Sequence, residues 1–272
     1  MGQHFLRCPW VTLELMRAAD IGPTDTVVEV GPGTGALTRE LTKRASRVIA
    51  VEKDERLAAG LRVDLQKRGI TNVEVVEGDI LRFSSMDLVA SSTGTDKAKQ
   101  SLKPMLPAAC YKLVGNIPYY LTSRLIRQTL EMEIKPAAIV FTIQKEVAER
   151  ITAHPPYMNL LALAVQISAV PEIGRTVPRK CFSPKPKVDS AILKITPRPI
   201  SILEEQGIDH NQFFSLARKA FGQKRKMLGT SLKRELNDVS LPDAFKKKRP
   251  QALFIEEWIQ LYQAKLYHGD KA

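Results

Sequence analysis

Thr26-Val-Val-Glu-Val-Gly31-Pro-Gly33-Thr-Gly35 decides the fold. A β-branched run ends in three glycines, and an amphipathic stretch over residues 36–44 follows, which predicts strand, tight turn and helix in succession. Glycine is needed where the backbone bends sharply and lets a ligand approach closely. An ordinary βα turn satisfies this pattern. So does a dinucleotide fingerprint, GxGxxG/A, formed by Gly31, Gly33 and Ala36.

Working outward, short β-branched runs alternate with amphipathic stretches, the signature of βαβ units and a parallel sheet. Strands are predicted over 26–30, 47–51, 72–78, 111–115 and 137–143, with helices over 36–44, 54–68 and 121–132. A further helix is expected over 159–169, then two closing strands over 174–178 and 190–195. The expected fold is α/β, a Rossmann-like, mostly parallel sheet with helices on both faces and a small helical C-terminal domain. Pro197 and Pro199 interrupt the pattern, which places the boundary near Arg198 and divides the chain into 1–197 and 198–272. Residues 84–107 read as a long polar surface loop.

The acidic residues narrow the ligand. Glu29 lies inside the strand before the glycine turn, where a carboxylate suits a cationic sulfonium cofactor better than a pyrophosphate. Glu52 ends the next strand, 21 residues after Gly31, where an acid can grip ribose hydroxyls. Asp79 ends the third, in Glu77-Gly-Asp-Ile80. All three fall at carboxyl ends of parallel strands, where open α/β sheets bind ligands. A third acid suits an adenine amine and no phosphates.

Val114-Gly-Asn116-Ile-Pro118-Tyr119-Tyr120 leaves the fourth strand. An adenine amine is a poor nucleophile because its lone pair is delocalised into the ring. Its activation needs hydrogen-bond acceptors for both amine protons and a flat surface to hold the base. Asn116 offers a side-chain carbonyl, the Ile117–Pro118 peptide a backbone carbonyl fixed by the ring, and Tyr119 a stacking face. Methyl transfer from a sulfonium is an in-line displacement dominated by alignment, so no His or Cys nucleophile constellation is required.

The chain has 272 residues, 44% of them hydrophobic, enough for one large domain and an appendix. No run of eighteen apolar residues marks a membrane span. Cys8, Cys110 and Cys181 are odd in number and show no CxxC or CxxH spacing, which predicts a reducing compartment and no metal site. The net charge of +12 points to a polyanionic partner. Between His210 and Pro250, eleven Lys/Arg stand against three Asp/Glu. Phe213, Leu216, Ala217, Ala220 and Phe221 fall on one helical face there, with Arg218, Lys219, Lys224, Arg225 and Lys226 around it.

These motifs together resemble the ribosomal RNA adenine N6-dimethyltransferase family over nearly the whole chain. Gly2-Gln-His-Phe-Leu6, the glycine turn, Asn116-Ile-Pro-Tyr119, Cys181-Phe-Ser-Pro-Lys-Pro-Lys-Val-Asp-Ser190 and the basic stretch 217–233 carry the likeness. The resemblance implies an S-adenosylmethionine-dependent, class I methyltransferase domain that modifies two adjacent adenines near the 3′ end of small-subunit ribosomal RNA. It implies cofactor contacts from His4, Leu6, Glu29, Gly31, Gly33, Glu52, Asp79 and Asn116. The catalytic set would be Asn116, Ile117, Pro118, Tyr119 and Phe182, with Phe182 closing on the base opposite Tyr119. RNA would be held by Arg218, Lys219, Lys224, Arg225, Lys226 and Lys233. The chain departs from the family pattern at His4 and Tyr120, where Asn is frequent, and lacks a basic stretch ahead of Gly2. A monomer without membrane contact is expected, in the cytoplasm, or in an organellar matrix or stroma if a leader precedes Met1. The rivals are a large-subunit adenine methyltransferase of the erythromycin-resistance type and an assembly or transcription factor that kept the fold.

Overall fold

The computed structural model describes residues 4–84, 111–233 and 243–269. The expected loop over 84–107 lies outside them apart from Ser84.

The chain opens with a two-residue strand, β1 (Phe5–Leu6), and helix α1 (Pro9–Ala18). Then follow β2 (Thr26–Val30), α2 (Ala36–Leu41), β3 (Arg47–Glu52), α3 (Glu55–Lys67) and β4 (Val73–Glu77). Beyond the undescribed stretch come β5 (Tyr111–Asn116), α4 (Thr122–Leu130), β6 (Ala138–Gln144) and α5 (Lys145–Ile151). Helix α6 (Leu160–Ser168) precedes β7 (Ala169–Val177), the short β8 (Phe182–Ser183) and β9 (Ser190–Pro197).

The seven-stranded sheet has the order β4-β3-β2-β5-β6-β9-β7. Strands β2 to β6 pair parallel and β9 joins β6 antiparallel. Every side chain of β2 is buried, as a strand covered on both faces requires. Val27 packs on one face with Val11 and Leu15 of α1 and Leu37 and Leu41 of α2. The strand order reverses at β2, so the carboxyl ends of β2 and β5 flank the crevice where such sheets bind ligands. Helix α3 starts on Asp54, whose carboxylate accepts from the Arg56 and Leu57 amides, satisfying two orphan donors of its first turn.

Besides α5 and the first half of β7, two features escaped the sequence reading. Helix α1 is one, although Pro9 at its first position is a helix-start signal. The antiparallel β1–β8 pair, Phe5 facing Ser183 and Leu6 facing Phe182, is the other. Two residues per strand carry no usable periodicity. This pairing brings Cys8 and Cys181 to a Cα separation of 5.0 Å, and they form a disulfide across 173 residues of sequence. The expectation of a reducing compartment rested on cysteine number and spacing along the chain, which say nothing about neighbours made by a long-range strand pair.

The molecule divides into residues 1–148 with 170–197 and residues 149–169 with 198–272. The chain therefore crosses into the second unit twice, whereas the sequence reading assigns 149–169 to the first domain. The second unit also contains α7 (Ile202–Glu205), α8 (His210–Gly222), α9 (Leu228–Ser231), α10 (Asp243–Lys246) and α11 (Ile255–Gly269). Its core joins Ala162 and Leu163 of α6 to Phe213, Leu216, Ala217 and Phe221 of α8 and to Trp258 and Leu261 of α11. Phe221 stacks on Trp258 with ring centroids 5.2 Å apart. The predicted apolar stripe of α8 is the buried one.

Candidate active site

A cavity of about 650 Å³ opens at the carboxyl ends of the parallel strands. His4, Gly31, Gly33, Glu52, Asp79, Asn116, Ile117, Pro118, Tyr119 and Phe182 all line it. The sequence reading thus gathers ten residues from six separate stretches around one space.

Gly31 has φ +66°, and a Cβ added there would meet nothing within 4 Å. The space beside this backbone is therefore open to the cavity. Glu52, 3% exposed, anchors the turn: its Oε2 accepts from the Gly33 amide at 2.9 Å and its Oε1 from the Asp54 amide at 3.0 Å. Each oxygen keeps a further lone pair for a hydroxyl donor. Asp79 accepts from Leu81 N at 3.1 Å and from Lys53 Nζ at 2.9 Å. The Lys53 hydrogen bond holds the Asp79 carboxyl below the usual carboxylate range despite partial burial.

Asn116 ends β5. At Gly115 just before it, an added Cβ would fall 2.5 Å from Val30 O, so only glycine lets β5 lie this close to β2. Asn116 Nδ2 donates to the His4 backbone carbonyl at 2.7 Å. Its Oδ1 has no hydrogen-bond partner among the described residues. Pro118 then sets φ −57° and the chain closes a single turn over Tyr119–Leu121, with Leu121 N donating to Pro118 O at 2.9 Å. The Tyr119 hydroxyl shares a hydrogen bond of 2.8 Å with the fully buried Ser190 Oγ. Burial raises its pKa, keeping the phenol neutral. The His4 ring lies 5.8 Å from that of Tyr119, and its Nδ1 donates to Pro184 O at 2.6 Å. Phe182, 4% exposed, completes the aromatic wall.

Two expected cofactor contacts are corrected. Glu29 is 2% exposed and does not line the cavity. Alternation along β2 puts it on the Val27 face, against α2, while Val30 reaches the ligand side. Burial pushes its carboxyl up to about 7, helped by the nearby Glu52 and opposed by Thr38 and Arg39. Leu6 does not line the cavity for the same geometric reason: partly buried, it packs against the core cluster of Val11 and Cys181, and Phe5 takes the place on the cavity wall. The sequence reading passed over Lys53, Arg56 and Arg124, and noted Tyr120 only as a departure from the family pattern; all four line the cavity. Tyr120 alone had a signal, as a second aromatic directly after the motif.

The six cations expected to hold RNA are all exposed in the second unit. Helix α8 ends at Gly222, so Arg218 and Lys219 lie on it, whereas Lys224, Arg225 and Lys226 follow in a turn rather than surrounding the helix. No helix among the described residues is long and apolar enough to cross a membrane.

The family model described as ribosomal RNA adenine dimethylase matches residues 1–254. A ribosomal RNA small subunit methyltransferase A from Dehalococcoides mccartyi is 40% identical over 270 residues, covering 96% of this chain and 86% of that protein. The protein of the same name from Moorella thermoacetica is 40% identical over 233 residues, covering 85% and 77%. Among solved structures, a dimethyladenosine transferase from Plasmodium falciparum superposes with a TM-score of 0.77 at 25% identity, covering 98% of both chains. The 23S rRNA methyltransferase ErmE gives 0.74 at 27% identity, covering 96% and 98%.

Proposed function

The chain belongs to the ribosomal RNA adenine dimethylase family, and from that premise we propose that it transfers methyl groups from S-adenosylmethionine to the N6 amines of two adjacent adenines near the 3′ end of small-subunit ribosomal RNA. The observation that carries this reading is Asn116 Oδ1, unpartnered among the described residues and held at the cavity by the bond from Nδ2 to His4.

The residues fit the cofactor. Gly31 leaves open space beside its backbone, Glu52 retains lone pairs for ribose hydroxyls, and Asp79 is a carboxylate at the end of β4, suited to an adenine amine. S-adenosylmethionine supplies, when bound, an electrophilic methyl carbon that needs no further activation. Asn116 Oδ1 and the Ile117 carbonyl take the two amine protons and draw the nitrogen lone pair out of conjugation. Tyr119 and Phe182 hold the base between rings and exclude water from the reacting face. The proton leaves an already acidic ammonium, so these acceptors can pass it to water without a strong base. The enzyme's contribution is alignment.

The exposed cations of the second unit, Arg218, Lys219, Lys224, Arg225, Lys226 and Lys233, supply phosphate contacts in this account. The enzyme acts as a cytoplasmic monomer on the immature small subunit. ErmE's likeness favours a second reading, methylation of the large subunit. The 40% identity to small-subunit enzymes, against 27% to ErmE, weighs against it. An assembly factor that has lost catalysis would have no need of an intact Asn116 and Tyr119. Labelled cofactor incubated with unmethylated small and large subunits separates the three: label in the small subunit supports the proposal, label in the large subunit supports the second reading, and none supports the third.

A further inference from the structure

Tyr120 is 74% exposed although it lines the rim of the cavity. Among the described residues its hydroxyl has no hydrogen-bond partner and its ring joins none of the hydrophobic core clusters. A large aromatic side chain left in water does nothing for the fold. Its backbone, by contrast, is fixed, since the Tyr119–Leu121 turn is closed by the Leu121 N to Pro118 O bond and runs directly into α4. The ring is therefore presented on a rigid mount beside Tyr119.

The cavity it lines carries the cations Lys53, Arg56 and Arg124 besides the acids Glu52, Asp54, Glu55 and Asp79. Arg124 lies four residues further on, in the first turn of α4, and lines the same cavity. Arg56, at the start of α3, lines the same cavity. Both are exposed, and neither has an ion-pair partner among the described residues. Lys53 is likewise exposed, although it pairs with Asp79. An exposed ring on a cavity lined also by two guanidiniums with no ion-pair partner among the described residues is complementary to a nucleotide, with the base on the ring and the phosphate at the arginines. The target base itself is accounted for by Tyr119 and Phe182.

We infer that Tyr120, with Arg124 and Arg56, forms a stacking platform for the unpaired RNA nucleotide next to the target adenine. This rests on the proposed function and adds a subsite to it. The platform holds the strand in register while the target base is turned into the cavity, and it selects single-stranded RNA, whose bases are free to stack.

The test uses the full-length protein and its Tyr120→Ala and Tyr120→Phe variants. Binding of a short single-stranded RNA with two adjacent adenines is followed by fluorescence anisotropy in the presence of S-adenosylhomocysteine. Affinity for S-adenosylhomocysteine alone is measured by calorimetry. Stacking on one aromatic ring corresponds to a loss of roughly ten- to a hundredfold in RNA affinity for the alanine variant. The phenylalanine variant keeps wild-type affinity, because the ring and not the hydroxyl is used, and both bind S-adenosylhomocysteine like the wild type. On immature small subunits the alanine variant shows the defect in KM rather than kcat. The inference is overturned if the wild type fails to bind the RNA, if the alanine variant binds it equally well, if the phenylalanine variant is as weak as alanine, or if the loss falls on S-adenosylhomocysteine. A wild type that binds the RNA through this ring but methylates no subunit would leave the platform standing and defeat the proposed function instead.

Discussion

The side-chain amide of Asn116 donates to the backbone carbonyl of His4 across 2.7 Å, tying the end of β5 to the N-terminal segment. That bond fixes which way the amide faces. With Nδ2 engaged, Oδ1 is the atom left for an incoming amine, so His4 acts as a positioning residue through its main chain and not its ring.

Replacing Asn116 tests this directly. Asn116→Ala is expected to lower kcat by about a hundredfold or more, the scale for removing one aligned transition-state hydrogen bond, while cofactor binding is weakened but still measurable by calorimetry. Asn116→Asp keeps an acceptor but sets a carboxylate oxygen against the His4 carbonyl, so it is expected to fail as well. Wild-type turnover in either variant would remove Asn116 from the chemistry.

Tyr119 serves twice, and the two roles separate. In Tyr119→Phe the ring stays and the bond to buried Ser190 is lost, leaving a polar atom unpaired at a cost of about 1–3 kcal/mol. Stability measured by denaturant should fall while methyl transfer stays within a few-fold. Tyr119→Ala should lose both. A phenylalanine variant with alanine-like activity would show that the hydroxyl, not the ring, is what the reaction needs.

Glu29 predicts a pH effect. Its folded pKa of about 7 lies above the ordinary 4.5, so the native state holds a proton that the unfolded chain has already released. Between those values stability falls as pH rises, and the full penalty, on the order of 3 kcal/mol, is reached once the pH is above the folded value. Glu29→Gln cannot ionise. Its stability relative to the wild type should therefore improve steadily from pH 5 to pH 8. Parallel stability curves for the two proteins would show that Glu29 is already charged in the fold.

The basic block in the second unit has a separate signature. Replacing Lys224, Arg225 and Lys226 together should weaken RNA binding and reduce the salt slope by about 2, at roughly 0.7 per phosphate contact on a single strand. Cofactor affinity should not move. An unchanged slope would make these three cations a solvated surface.

Much of this was legible in the residues. The glycine turn, the acids at strand ends and the Asn116-Ile-Pro-Tyr119 motif each mark the carboxyl end of a parallel strand, and parallel topology alone brings such ends together. What failed to show was direction. Glu29 and Leu6 sit at the right places along the chain with their side chains turned into the protein, because a strand alternates faces and a one-residue difference decides between core and cavity. The Cys8–Cys181 bond was hidden because it depends on a strand pair two residues long. The rim residues Arg56 and Arg124 carry no motif, and only the fold of α3 and α4 sets them around the cavity.

The most direct test is the identity of the product. Unmethylated small subunits are incubated with the protein and labelled S-adenosylmethionine, the ribosomal RNA is digested, and the modified nucleosides are mapped by mass spectrometry. The account expects N6-methylated adenosines, two of them adjacent, near the 3′ end, and a rate of their formation at least about a hundredfold lower when Asn116 is replaced by Ala. Methyl groups on a ring nitrogen or on another base, or wild-type rates of adenine methylation in the Asn116→Ala reaction, would contradict it.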